Sequence, residues 1–120
     1  MSEKREQPLY FPAAMIDEIR HEANRLDRSL SWCVQFAWMA ARKELTRLEP
    51  MAAHPTAKAI FDRRYAGQPK AKQTLFFPCE MLQELKGEAE RLDRSISWVV
   101  QCAWCLALEA ISARPSAVAF

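Results

Sequence analysis

RLDRSLSW at residues 25–32 returns as RLDRSISW at residues 91–98. Working outward from this block, residues 9–45 align with residues 75–111 at a constant offset of 66, without a gap, and 19 of the 37 aligned positions are identical. Agreement over that length marks a duplication. The fold must therefore use one unit twice.

Each copy reads as three parts. The first is a short extended segment ending in proline, Leu9-Tyr10-Phe11-Pro12 and Leu75-Phe76-Phe77-Pro78. Aromatic residues favour strand, and a residue before proline avoids the helical region. The proline itself suits the first turn of a helix. The second part has helical spacing: Met15, Ile16, Ile19, Ala23 and Leu26 in one copy, Met81, Leu82, Leu85, Ala89 and Leu92 in the other. Glu84, Lys86, Glu88 and Glu90 fill the opposite face. A polar break at Asp27-Arg28-Ser29 and Asp93-Arg94-Ser95 starts the third part, with Ser29 and Ser95 as N-caps. This last helix runs to about residue 47 or 112 and is apolar nearly all round, with Gln35 and Gln101 as its main polar interruptions.

A helix apolar on every side must be buried on more than one side. One copy cannot do this, because its strand has no partner and two helices cannot enclose one of themselves. Two copies can, if the strands pair antiparallel and the four helices wrap a shared core. The expected architecture is thus mostly α, an intertwined pseudo-dimer of two short antiparallel strands and four main helices over residues 1–120. The units are 5–48 and 72–113, joined by a linker at 49–71 and followed by a tail at 114–120. The linker holds Pro50, Pro55, Gly67 and Pro69, and a short helix over 56–65 capped by Thr56. Arg114-Pro115-Ser116-Ala117 echoes His54-Pro55-Thr56-Ala57, so the linker reads as the former tail of copy one.

Half of the residues are apolar and 27% are charged, which suits a globular chain. The net charge of +2 is unevenly spread. Residues 46–74 hold six basic and two acidic side chains, and residues 75–120 hold four basic and six acidic. A local basic patch points to a polyanion more than the total does. The amino-terminal residues do not read as a signal peptide, and no apolar run is long enough to span a bilayer, so no membrane role and a cytoplasmic setting are expected. Cys33, Cys79, Cys102 and Cys105 do not occupy equivalent places in the copies and do not read as a disulfide framework. Cys102-Ala103-Trp104-Cys105 lies mid-helix in an apolar run, so packing is the expected role, not metal or redox chemistry. His21 and His54 lack partners at ligand spacing and are expected at the surface. No triad, acid/base pair or phosphate loop is visible, and neither an enzyme nor a cofactor is expected.

Strand, proline, helix, polar turn and helix together resemble the ribbon-helix-helix superfamily of repressors, of the Arc, MetJ and CopG type. The likeness is carried by 9–12 and 75–78, by the two Asp-Arg-Ser-Leu/Ile-Ser turns and by the helical spacing after them. It implies a bacterial-type transcription regulator or nucleoid-associated protein whose ribbon enters the major groove of double-stranded DNA. Helix N-termini would then rest on phosphates. By position, the base-facing residues would be Lys72, Thr74 and Phe76 in one strand and Glu6, Pro8 and Tyr10 in the other, with Gln73, Leu75 and Phe77 inward. Phosphate contacts would come from the turns at Ser29–Ser31 and Ser95–Ser97, with Arg28 and Arg94. The resemblance also implies self-association of such units on DNA.

The chain departs from the pattern at Glu6, Pro8, Tyr10 and Phe76, where family readers present polar or basic groups. Any DNA site should therefore be asymmetric, and contact could fall to Lys4, Arg5, Lys70 and Lys72 while strand one serves structure. Two alternatives stay open: a protein-interaction module that has lost DNA binding, and a ribbon that takes a small anionic nucleotide. Trp32, Phe36 and Met39, with Trp98, Cys102 and Cys105, form an extra apolar stripe that the linker helix and tail are expected to cover.

Overall fold

A computed structural model describes residues 3–117 and is mostly helical, with five helices and one two-stranded antiparallel sheet. In chain order the elements are β1 (Lys4–Pro12), α1 (Ala13–Leu26), α2 (Leu30–Leu45), α3 (Pro55–Tyr65), β2 (Lys70–Pro78), α4 (Cys79–Leu92) and α5 (Ile96–Ser112). The strand β2 begins at Lys70, inside the stretch expected as linker, and α2 stops two residues before the expected end.

β1 and β2 pair with Pro8 opposite Thr74 at the centre. These two residues are equivalent under the repeat offset, so the ribbon is centred on the symmetry of the duplication. The pairing carries on into the helices. The N–H of Ala13, first in α1, donates to Pro69 O, and that of Cys79, first in α4, donates to Glu3 O, both at 2.9 Å. Each repeat thus satisfies a backbone donor that its partner's helix start leaves without an intrahelical acceptor.

Each first helix ends at an aspartate in the left-handed region, Asp27 at φ 53° and Asp93 at φ 54°. Asp tolerates this conformation better than most side chains, because its short polar group can bond locally. Ser29 and Ser95 then cap α2 and α5, each hydroxyl accepting from the N–H three residues on, Trp32 and Trp98, at 3.0 Å. A cap of this kind is worth about 1 kcal/mol.

The buried residues of both repeats form one cluster. Leu9, Phe11, Leu75 and Phe77 enter it from the inner face of the ribbon, and α2 packs along α5 with Trp38 and Trp104 fully enclosed. The segments after α2 and α5 are tied down in parallel ways. Arg91 donates to Leu45 O and Leu48 O, while Arg25 donates to Ile111 O and Arg114 O, the same carbonyls one repeat later. Carbonyls that a helix end leaves unmatched are thereby satisfied by the other repeat.

Here the likeness between the halves stops. The first repeat is followed by α3, which packs on α5 and buries Ala57 and Tyr65. Its cap is His54, not Thr56: Nδ1 accepts from Ala57 N–H at 3.3 Å, and Nε2 lies 2.8 Å from Glu44. His54 is therefore a mostly enclosed structural residue, not the surface histidine expected. Gly67, at φ 78°, supplies the left-handed turn between α3 and β2. Cover of the apolar stripe is one-sided. Cys105 is buried and Cys102 half-buried, whereas Met39 is 59% exposed and, among the described residues, the guanidinium of Arg114 lies over Trp32 and Phe36 and that of Arg28 over Trp32.

Candidate functional site

The outer face of the ribbon holds every second residue, as strand alternation requires. Glu6, Pro8 and Tyr10 of β1 and Lys72 and Phe76 of β2 are exposed, and Thr74 is half-exposed. Leu75 and Phe77 are buried and Gln73 half-buried, each on the side expected of it. Antiparallel pairing sets Glu6 opposite Phe76, Pro8 opposite Thr74 and Tyr10 opposite Lys72. Tyr10 and Phe76 are 51% and 47% exposed, so two aromatic rings stand in solvent at equivalent places.

This pairing gives the face two unlike ends. At one end stand Tyr10, Lys72 and Lys70, the last opposite Pro12. Both lysines are exposed, and neither forms an ion pair with a described residue. At the other end Lys4 shares the face with the acid Glu6 beside Phe76. Arg5 belongs by alternation to the inner face, but it sits exposed at the ribbon end and pairs with Glu3 at 3.7 Å. The positive charge of the ribbon is therefore concentrated where β2 begins.

Each end of the ribbon is held by the second helix of the other repeat. The Ser31 hydroxyl accepts from Phe76 N–H at 2.9 Å, and the Gln35 side-chain amide donates to Phe76 O at 2.8 Å. In the same way Ser97 accepts from Tyr10 N–H at 3.0 Å, and Gln101 donates to Tyr10 O at 2.7 Å. A two-stranded ribbon leaves outward-pointing N–H and C=O groups at its edges. The Ser-x-x-x-Gln spacing, one helical turn, satisfies one donor and one acceptor per strand. It also locks the start of α2 to the Phe76 end and the start of α5 to the Tyr10 end.

Ser31 and Ser97 are thus ribbon anchors first, a role the sequence reading did not assign them. Gln35 and Gln101 were missed as site residues. The signal was present in both copies, since Ser31-x-x-x-Gln35 and Ser97-x-x-x-Gln101 repeat at the same offset. Arg28 and Arg94 lie over the faces of Trp32 and Trp98 at 5.0 and 4.6 Å. Arg28 is exposed, while Arg94 is half-buried and donates to Met51 O at 3.0 Å. The tryptophans serve as platforms that hold a guanidinium beside each helix start. Exposed Ser29 and Ser95 leave the first N–H groups of α2 and α5 free of intrahelical partners, on the positive end of each helix dipole.

No family model, curated protein or solved structure matches this chain.

Off the ribbon itself, three thiols and one phenol are shifted by burial. Burial pushes the thiol of Cys33 up to about 11, and those of Cys102 and Cys105 up to about 12. They are protonated thiols at neutral pH, poor as nucleophiles or metal ligands. Burial, and then the Glu18 carboxylate, push the Tyr65 phenol well above its ordinary value. Among the described residues no three His, Cys, Asp or Glu side chains come together in a way that could hold a metal ion, and no single helix is long and apolar enough to cross a membrane.

Proposed function

We propose that this chain is a single-chain ribbon-helix-helix pseudo-dimer that binds double-stranded DNA as a regulator or nucleoid-associated protein. The ribbon would enter the major groove, and the starts of α2 and α5 would rest on flanking phosphates. The observation that carries this reading is the crossed bracing of the ribbon. Ser31 and Gln35 fix Phe76, Ser97 and Gln101 fix Tyr10, and two capped helix starts are thereby held at set positions on either side of an exposed two-stranded face. A pre-set spacing between a groove reader and two anion sites is what docking on a duplex requires.

The uneven charge supports an asymmetric mode. Lys70, Lys72, Arg94 and the start of α5 would supply most of the phosphate attraction. Lys4, Arg5, Arg28 and the start of α2 would supply less, because Glu6 and the Arg5–Glu3 pair offset it. Thr74 is the base reader best suited to hydrogen bonding, with Tyr10 and Phe76 making apolar contact to thymine methyls. Side-by-side association of chains on DNA would add to the limited area one ribbon can bury.

Fluorescence anisotropy of a labelled random-sequence duplex, followed across salt concentration, tests this. Affinity should fall steeply and linearly on a log–log scale. Lys70→Ala and Lys72→Ala should each flatten that slope by about 1, and Lys4→Ala by less. Absence of binding at the lowest salt would overturn the proposal. A second reading draws on the two solvent-exposed rings: the face could dock a protein partner instead. A chain that ignores duplex DNA while Tyr10→Ala and Phe76→Ala abolish a protein complex would favour it.

A further inference from the structure

The helix α3 creates a feature that the first repeat lacks. Between α3 and the first half of α5 lies a cleft of about 320 Å³, at the small end of ligand-binding pockets. Phe61 and Ala57 line it from α3, and Trp98 and Cys102 line it from α5. Lys58, Lys70 and Arg94 also line it, along with one acid, Asp62. Asp62 is already paired with Lys58 at 2.6 Å, so the charge of Lys70 and Arg94 is left over. The Nε of Arg94 is buried without an acceptor among the described residues. A shallower hollow bordered by Tyr10, Ser95 and Ser97 adjoins the cleft, since Lys70, Trp98 and Gln101 line both.

We propose that this cleft binds a small anion with a planar aromatic body, an aryl phosphate or aryl carboxylate, one per chain. The ring lies among Trp98, Phe61 and Cys102, and the anionic group meets Lys70 and Arg94 at the mouth. Apolar walls with a few converging polar groups are the usual build of such a site. The first repeat has no equivalent cleft among the described residues. The positions equivalent to Cys102 and Cys105 are Phe36 and Met39, and among the described residues no helix covers them. Small cysteine side chains leave the space that a phenylalanine would fill.

Calorimetry on the full chain without DNA tests this independently of the ribbon's role. The probe is 1-naphthyl phosphate, compared with inorganic phosphate and with 1-naphthol. The expected result is saturable sub-millimolar binding of the naphthyl phosphate with one molecule per chain. Either half-probe should bind at least about tenfold more weakly, a difference of about 1.4 kcal/mol. Cys102→Phe, the first repeat's residue at that position, should abolish binding. Lys70→Gln, at an exposed site that leaves the core untouched, should weaken it by roughly three- to tenfold. No saturation with the wild type overturns the proposal. So does unchanged affinity in Cys102→Phe with a wild-type melting curve. If Cys102→Phe does not fold, unchanged affinity in Lys70→Gln overturns it, and so does phosphate alone binding as tightly as the aryl ester.

Discussion

Trp38 and Trp104 occupy the same place in the two repeats, both fully buried, yet their indoles meet different fates. Trp38 Nε1 donates to the Glu84 carboxylate of the other repeat, whereas Trp104 Nε1 has no acceptor among the described residues. The residue equivalent to Glu84 is Glu18, and it lies 3.3 Å from Arg64 at the end of α3. The helix that follows only the first repeat within the described residues has drawn away the acid that would complete the second. A duplication preserves backbone and packing while a local insertion redirects polar partners. A buried donor left unmatched costs roughly 1–3 kcal/mol, which is the measure of that asymmetry.

The comparison can be broken most forcefully at the indoles. Trp38→Ala and Trp104→Ala should each lower stability by about 3–5 kcal/mol in chemical denaturation, because both open a large cavity in one shared core. Trp38→Phe should cost about 1–3 kcal/mol more than Trp104→Phe, since the former removes a hydrogen bond and the latter removes an unmatched donor. Equal losses would mean that the Glu84 contact contributes nothing. Next in size are the ribbon anchors. Gln101 is buried and Gln35 half-buried, so Gln101→Ala should cost about 1–3 kcal/mol and Gln35→Ala about 1 kcal/mol, read by urea titration. Hydrogen exchange at Tyr10 and Phe76 should report which end of the ribbon has loosened.

The caps predict sameness where the indoles predict difference. Ser29→Ala and Ser95→Ala should each cost about 1 kcal/mol, and a clear inequality would show that the Arg94–Met51 contact at the start of α5 changes what its cap is worth. Arg64→Ala sharpens the asymmetry from the other side. Its pair with Glu18 is partly exposed and worth about 0–1 kcal/mol, and its loss frees Glu18 for Trp104, so the melting temperature should not fall and should rise if Glu18 takes up the indole N–H. The pH response belongs to the second repeat above all. Cys102 and Cys105 hold their protons up to about 12 when folded, against 9.0 when unfolded. The unfolded chain therefore loses protons first, and stability should fall as pH rises above about 9. Replacing the pair with the first repeat's residues, Cys102→Phe with Cys105→Met, should make that fall shallower in pH-dependent melting.

Much of the architecture could be read before any coordinates. The offset of 66 located both strands, and the apolar spacing from Met15 to Leu26 and from Met81 to Leu92 located both first helices. Ser29 and Ser95 stood where a hydroxyl could reach a free N–H, and they cap as expected. The resemblance, carried over by position, put Lys72, Phe76, Glu6 and Tyr10 outward, and they are exposed. The site was less legible. Ser31 and Ser97 were read with the helix starts as phosphate contacts, but their hydroxyls reach across to the opposite repeat's strand. His54, and not Thr56, caps α3 because the helix starts at Pro55, two residues before the start that a Thr56 cap would give.

The amino-acid sequence by itself determined what depends on neighbours in the chain: the duplication, strand and helix periods, the capping serines, and which strand residues share a face. Tertiary structure alone decided what depends on residues far apart in the chain. It put Pro8 opposite Thr74, set Lys70 and Lys72 at the end of the ribbon away from Glu6, and bound each second helix to the other repeat's strand. It also turned Glu18 toward Arg64 and away from Trp104. Local propensity acts over a few residues, so it cannot choose among chemically equal partners. That choice is made by packing, when one shared core leaves each polar group a single partner within reach.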